Sequence, residues 1–354
     1  MRDSDISSAL QQQVLEAIET KRALRIQGGN SKAFYGREVS ADVLNVSEHS
    51  GIISYEPTEL VITARAGTPL KDIEQTLAAQ NQILGFEPPH FGERATLGGT
   101  IACNFSGPRR AAAGAARDFV LGSKLINGKG EILTFGGQVM KNVAGYDVSR
   151  LTCGALGTLG VLLEISLKIL PKPEMEITLT QELDVPAALD KLHNLGRQAL
   201  PISASCVDDS HLHIRLSGSA AAVDSAKNTI GGELMQNDSA FWQQLREQQL
   251  SFFHPSQPLW RISVASTAPP LNLPGNWLYE WDGAQRWLLS DANAEQIREV
   301  VSAHGGHAVC FRAPHKPDAV FHPLDAGLLR LHKKLKQAFD PANLFNPGKM
   351  YPDI

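Results

Sequence analysis

Four glycine-centred clusters punctuate the first 160 residues of this chain: Gln27-Gly28-Gly29-Asn30-Ser31, Thr96-Leu97-Gly98-Gly99-Thr100, Asn104-Phe105-Ser106-Gly107 and Gly154-Ala155-Leu156-Gly157-Thr158-Leu159-Gly160. Glycine lets backbone amides come close to an anion and take positive φ, and the neighbouring Ser, Thr and Asn side chains add donors. Any one cluster alone reads most simply as a turn between short strands. Four in succession, each with hydroxyl or amide neighbours, point instead to a domain that wraps a ligand, and a pyrophosphate suits such a wall. The last cluster has the spacing G-x-x-G-x-x-G. The dinucleotide fingerprint of a doubly wound sheet, however, follows a strand and opens a helix. Here the glycines precede Leu159–Leu170, a β-branched run that reads as a strand, so that fold is excluded.

The length of 354 residues predicts two domains. Hydrophobic residues at 43% against 20% charged exclude intrinsic disorder. The net charge of −4, with no basic tail, argues against a nucleic-acid partner. Cys103, Cys153, Cys206 and Cys310 stand far apart, without a Cys-x-x-Cys pair, which argues against a chain-borne iron–sulfur or zinc site and against a disulfide framework. The polar opening MRDSDISSALQQQ has no apolar core of a secretion signal, and no apolar run reaches the roughly 18 residues of a membrane span. A reduced, cytoplasmic protein without a transmembrane segment is expected.

Residues 1–170 carry 17 basic and 17 acidic side chains, so the whole of the −4 lies beyond them. Pro171-Lys172-Pro173 is the best boundary between domains. In the first region, Ile6, Leu10, Val14 and Ile18 predict an amphipathic helix. Ala23–Gln27 and Leu60–Arg65 predict strands, Thr68 a cap for a helix opening at Pro69, and Asn127-Gly128-Lys129-Gly130 a hairpin turn between Phe119–Asn127 and Glu131–Phe135. In the second region, strands are expected over Met175–Leu183, Ser203–Leu216, Trp260–Ala265, Trp277–Trp281, Trp287–Leu289 and Ala308–Arg312. Helices are expected from Pro186, over Ala220–Ile230, Ser239–Leu250 and Asp291–Ala303, and finally over Leu324–Phe339. The class is α+β, with an antiparallel sheet and helices on one face in the second region.

The ordered set Arg25-Ile-Gln-Gly-Gly-Asn-Ser, Ala66-Gly67-Thr68, Thr96-Leu-Gly-Gly, Asn104-Phe-Ser-Gly-Pro-Arg-Arg, Asn127-Gly-Lys-Gly-Glu-Ile and Gly154-Ala-Leu-Gly-Thr-Leu-Gly resembles the FAD-binding domain of the vanillyl-alcohol-oxidase (PCMH) type. Within it, Lys141-Asn-Val-Ala-Gly-Tyr-Asp147, His304-Gly-Gly-His307 and Phe339-Asp-Pro-Ala-Asn-Leu-Phe-Asn-Pro-Gly-Lys349 are similar to the FAD-binding E subunits of bacterial glycolate oxidases (glycolate dehydrogenases). The resemblance implies an FAD-binding domain over 1–173, an α+β cap domain over 174–339 and a tail, 340–354, that returns to the FAD domain. It places the pyrophosphate loop on Gln27, Gly28, Gly29, Asn30, Ser31 and Lys32, and the flavin and its phosphates against Thr96, Gly98 and Gly99. Asn104, Ser106 and Gly107 fall near the isoalloxazine edge, and Gly157, Thr158 and Gly160 close over the cofactor. Many relatives tether the flavin to a histidine in the first loop. Asn30 stands there in this chain, and Cys103 between Ala102 and Asn104 reads as buried packing, so non-covalent FAD is expected.

Catalytic relatives that oxidise 2-hydroxy acids carry a metal-binding G-H-x-G-D-G-N-x-H sequence, and nothing similar occurs here. His211-x-His213 points both rings to one face of a predicted strand but reads as a pair of solvated histidines, and His304 reads as the end of a helix. No metal and no catalytic residue are assigned. Arg312, ending a predicted strand, is the candidate for a substrate carboxylate, while Arg109, Arg110 and Arg117 read as a solvated basic loop. Trp277, Trp281 and Trp287 are left open between core and subunit interface. The expected function is an FAD-binding subunit of a complex that oxidises glycolate to glyoxylate, relaying electrons or completing the assembly. Its implied partners are a homologous FAD-containing catalytic subunit, an iron–sulfur subunit and a glycolate-like 2-hydroxy acid. Such a complex delivers electrons to a membrane quinone and sits peripherally on the inner membrane. Two other readings stand beside it: a self-sufficient dehydrogenase of 2-hydroxy acids or polyols, and a structural subunit with a vestigial flavin site.

Overall fold

The computed structural model describes residues 3–137, 148–254, 256–315, 317 and 319–354. Lys141–Asp147, part of the motif set above, lies outside the described residues. The chain divides into two units, one of Met1–Ser106, Ala115–Pro171 and Pro323–Ile354, the other of Gly107–Gly114 and Lys172–His322.

The first unit is built around an antiparallel sheet in the order Ile52–Glu56, Val61–Arg65, Val161–Lys168, Val120–Ile126, Ile132–Gly136. Val161–Lys168 is buried along nearly its whole length, with only Glu164 and Lys168 partly exposed, which fits its mainly apolar sequence and its central place. Its last two strands meet at Asn127, whose side-chain oxygen accepts from the amides of Lys129 and Glu131 at 2.9 and 3.0 Å. The helix Ser7–Thr20 buries Leu10, Val14 and Ala17 against Leu24, Leu44, Ile126, Val161 and Leu163, and Leu344 and Phe345 from the far end of the chain complete this cluster.

A second, smaller pairing does more for function. Leu24–Gln27 runs parallel to Asp42–Asn45. Parallel neighbours cannot be joined by a tight turn, so residues 28–41 must leave the sheet and return. That crossover carries the first glycine cluster.

The second unit holds an antiparallel sheet in the order Glu233–Leu234, Met175–Glu182, His211–Gly218, Ile202–Val207, Asn276–Glu280, Gln285–Leu289, Leu259–Ser263, His307–Arg312. Helices Val185–Leu195 and Ala220–Ile230 bury Leu189, Leu192, Val223 and Ala226 with Leu179, Leu212 and Leu216 of the sheet. Each begins where the sequence supplies a cap. Asp184 accepts from the Ala187 amide at 2.9 Å, and Ser219 accepts from Ala222. Asp184→Ala is expected to cost about 1 kcal/mol, read as a lower urea midpoint at unchanged slope.

Two buried ionisable side chains mark this unit. The Arg286 guanidinium, fully buried, donates to the carbonyls of Gly283, Pro269 and Ala268 and thereby fixes the turn and loop on either side of it. The Glu280 carboxylate, also buried, accepts from Trp287 Nε1 at 2.5 Å and Gln285 Nε2 at 2.9 Å. Trp287 is thus a core residue, while the Trp281 indole donates to the Gly107 carbonyl at 3.1 Å.

Several local expectations are corrected. Thr68 does not cap the helix Leu70–Ala78, because its hydroxyl donates to the Arg65 carbonyl at 2.7 Å and Pro69 takes the cap position. The helix expected over Ser239–Leu250 is Asp238–Arg246, since Gln248 turns left-handed. The helix Leu97–Cys103 and the strand Asp42–Asn45 were not expected at all. Arg109 is no solvated arginine: it is buried, paired with Glu176 at 2.5 Å and bonded to Ser217 Oγ at 3.0 Å, while Arg110 lies 4.4 Å from the centre of the Trp281 ring. Among the described residues no helix is long and apolar enough to cross a membrane.

Candidate cofactor cavity

The crossover 28–41 walls a cavity of about 480 Å³, within the range of roughly 300–1,000 Å³ typical of ligand sites. Arg25 to Ala33, Tyr35 and Glu38 to Ala41 form one side. Thr96, Gly99, Ala102 and Cys103 form a second, and Leu156, Asn346 and Lys349 complete it. The cluster Gln27–Lys32 therefore lies whole on one wall, as a loop in which Asn30 takes φ +61°. Among the described residues, none of the amides of Gly28, Gly29, Asn30 and Ser31 donates to a protein acceptor. A run of amides without protein partners beside a cavity is what an anion needs. The Lys32 ammonium lies in the same wall, buried, donating to the His90 carbonyl at 3.2 Å and to Ser31 Oγ at 3.4 Å.

Glycine at 28 and 29 is required by close approach. A Cβ on Gly28 would stand 2.6 Å from Thr96 Oγ1, and one on Gly29 only 1.4 Å from the Arg94 carbonyl oxygen. The second wall follows from helical periodicity. Thr96 caps the helix Leu97–Cys103 by accepting from the Gly99 amide, and positions 96, 99 and 103 share a face. Gly98 turns the other way and packs against Ala66, with its amide donating to the Ala66 carbonyl at 2.7 Å. The same periodicity corrects the reading of Cys103, which is half-buried and lines the cavity.

The remaining candidates do not line this cavity. Asn104 ends that helix in a left-handed turn and its side chain accepts from the Arg117 amide at 3.1 Å. Ser106 Oγ accepts from the Ala116 amide at 2.9 Å, and Gly107 belongs to the second unit. Thr158 is buried and donates to the Ala155 carbonyl at 2.7 Å. Gly157 packs beside the Asn346 side chain, and Gly160 beside the Ile126 carbonyl. Arg312 ends the strand His307–Arg312 in the second unit, where burial pulls its guanidinium down to about 10, still cationic at neutral pH.

The histidine pair is also corrected in part. His211 and His213 do share a face, their rings stacked at 6.0 Å, but His213 is buried rather than solvated. It bonds Asp208 at 3.2 Å and Thr180 at 3.1 Å and packs on Phe241. His304 closes the helix Ala294–Ala303 as expected, bonded to the Val300 carbonyl. Tyr35, Glu38 to Ala41 and Leu156 escaped the sequence reading. The usable signal was the parallel pairing, which forces a long crossover.

Residues 7–136 match the FAD binding domain family, and residues 276–350 match the C-terminal domain of FAD linked oxidases. The chain is 51% identical over 354 residues to the glycolate oxidase subunit GlcE of Escherichia coli (strain K12), covering 100% of both. It is 33% identical to a D-lactate dehydrogenase of Anaerostipes hadrus and 35% identical to the glycolate oxidase subunit GlcD of Bacillus subtilis (strain 168), in each case over 138 residues, 39% of this chain and 28% and 29% of those proteins. In fold it is similar to an alkyldihydroxyacetonephosphate synthase, with a TM-score of 0.69 at 15% identity over 97% of this chain and 76% of that one. A cavity lined by a glycine loop and full-length likeness to one subunit lead to the same place: the chain belongs to the FAD-linked oxidases, in the family of the glycolate oxidase E subunit.

Proposed function

We propose that this chain is the FAD-binding subunit of a complex that oxidises glycolate or a closely related 2-hydroxy acid, with FAD held in the cavity of the first unit. The observation that carries the reading is the run of four amides, Gly28 to Ser31, on the cavity wall without protein acceptors among the described residues. The residues fit the group. Those amides and the Lys32 ammonium suit a pyrophosphate, the glycines leave the backbone bare where it must come close, and Tyr35, Val39, Ala102 and Leu156 offer apolar surface for a ring. When bound, the flavin supplies two-electron redox chemistry; the chain supplies binding, orientation and exclusion of water.

Gln27 to Lys32, Thr96 and Gly99 are proposed as direct contacts, with Gly98, Gly157, Thr158 and Gly160 shaping the walls from behind. Asn104, Ser106 and Gly107 are proposed for the isoalloxazine edge. Attachment is proposed to be non-covalent, because Asn30 occupies the loop position of the tethering histidine. The FAD-binding domain is taken as 1–173, the cap as 174–339 and the tail as 340–354. In the complex, a homologous flavin subunit removes the hydride, an iron–sulfur subunit exports electrons and this chain relays electrons or completes the assembly, peripherally at the inner membrane. Arg312 is retained as the candidate carboxylate anchor, as the cationic side chain that ends the strand His307–Arg312.

The test is an anaerobic visible spectrum of the purified chain before and after glycolate. A yellow protein indifferent to glycolate is expected. Bleaching would make this chain itself a dehydrogenase and remove the relay assignment; a colourless protein that takes up no added FAD would overturn the cofactor.

A further inference from the structure

The wall residue Asn346 is held in place from outside the cavity. Lys336, on the helix Ala326–Phe339, is buried and spends all three ammonium protons: on Asp340 Oδ2, the Thr158 carbonyl and the Phe345 carbonyl, each at 2.8 Å. Asp340, likewise buried, accepts from the amides of Leu344 at 3.0 Å and Phe345 at 2.8 Å. Gly128 makes room for it, since a Cβ there would stand 2.4 Å from Asp340 Oδ1, and the Gly128 amide donates to the Phe339 carbonyl. From this knot the tail runs alongside the first strand. Leu24 donates to the Leu344 carbonyl at 2.7 Å, and the Asn346 amide donates to the Leu24 carbonyl at 2.9 Å. The Asn346 side chain then joins two walls, accepting from the Ile26 amide at 2.9 Å and donating to the Leu156 carbonyl at 2.6 Å. Beyond it, Arg37 of the crossover donates to the carbonyls of Lys349 and Gly348.

We propose that Lys336 and Asp340 form a latch that holds Leu344–Lys349 as a structural wall of the FAD cavity, so that cofactor affinity is set in part by a buried ion pair that does not touch the cofactor. The proposal rests on the reading of this cavity as the FAD site. Lys336 is a positioning residue: its bonds fix the Thr158 and Phe345 carbonyls, and through Phe345 they fix the Asn346 side chain that joins Ile26 to Leu156. A buried pair broken on one side leaves an uncompensated charge, so the tail loses its anchor while the glycine loop keeps its own residues.

FAD titration of the purified full chain, followed by flavin fluorescence, tests this with Lys336→Met, Asn346→Ala and the double variant. Leu77→Ala serves as the control, a fully buried core residue on the helix Leu70–Ala78 whose loss lowers thermal stability without touching the tail. Each latch variant is expected to weaken FAD about tenfold or more, the order of one or two lost hydrogen bonds. Because both act through one segment, the double variant is expected to match the weaker-binding single variant rather than multiply the two. Leu77→Ala is expected to change FAD affinity by less than about twofold. Multiplying effects, or an equal loss in Leu77→Ala, would reduce the pair to ordinary core stability and overturn the latch. Should Lys336→Met fail to fold, Asp340→Asn, which removes the charge facing Lys336 without altering the cavity lining, takes its place against Leu77→Ala: equal affinities end the proposal. A wild-type chain that binds no FAD would instead end the reading of the cavity, leaving a different signature.

Discussion

Gly29→Ala is expected to abolish stable FAD binding while the rest of the first unit stays folded. The added methyl would sit 1.4 Å from the Arg94 carbonyl oxygen and 2.5 Å from its carbon, both backbone atoms that cannot rotate away. The loop must therefore shift by more than an ångström, and displacements of about 1 Å in a positioned site cost on the order of a hundredfold. Gly28→Ala should be milder. Its obstacle is the Thr96 hydroxyl, a side-chain atom able to yield at the expense of its bond to the Gly99 amide. Gly137→Ala, where the new methyl meets nothing within 4 Å, is the neutral control. Fluorescence titration of the three variants gives the answer: wild-type affinity in Gly29→Ala would remove Gln27–Lys32 from the binding wall.

Glu280→Gln is expected to flatten the pH dependence of stability. Burial raises this carboxyl from 4.5 to about 7, against the opposing hydrogen bonds from Trp287 and Gln285. The folded chain thus holds a proton that the unfolded chain has released over that interval. Stability from this group is fully present below about 4.5 and is lost as the pH rises through about 7. The linked loss is roughly 3 kcal/mol. Glutamine keeps an acceptor for the Trp287 indole and cannot ionise, so the variant should match wild type near pH 5 and exceed it near pH 8. Urea midpoints between those values measure the difference, and parallel profiles would refute it. Cys206, paired with Glu280 across adjacent strands, titrates well above this range because burial and the neighbouring carboxylates push its thiol up.

What could be read from sequence was whatever rests on local periodicity and turn chemistry. Leu10, Val14 and their spacing foretold the helix Ser7–Thr20, and Asn127-Gly128 foretold the hairpin. Gly28-Gly29 was legible as a loop with bare backbone amides, and the structure puts both residues on a cavity wall where a side chain would clash. Leu97–Cys103 was hidden by two glycines in seven residues, a composition that argues against a helix until the Thr96 cap is weighed. Arg109 looked solvated because its partner Glu176 lies 67 residues away. His213 looked solvated because Phe241, which covers it, comes from a later helix. Tyr35 and Cys103 on the cavity wall follow from a crossover and a helix face that only tertiary pairing creates. The return of Asn346 to the first strand was carried by family resemblance, since nothing in the local pattern Phe345-Asn346-Pro347 announces it.

That return has a temporal consequence. Ile26 and Asn346 meet across 320 residues. At synthesis rates of about 5–20 residues per second, the glycine loop waits roughly 16–64 s between its own emergence and the arrival of the segment that completes its cavity. Over that interval the nascent chain carries an open, half-walled loop. The cavity is therefore complete only once residues 344–349 have emerged, long after the loop that begins it.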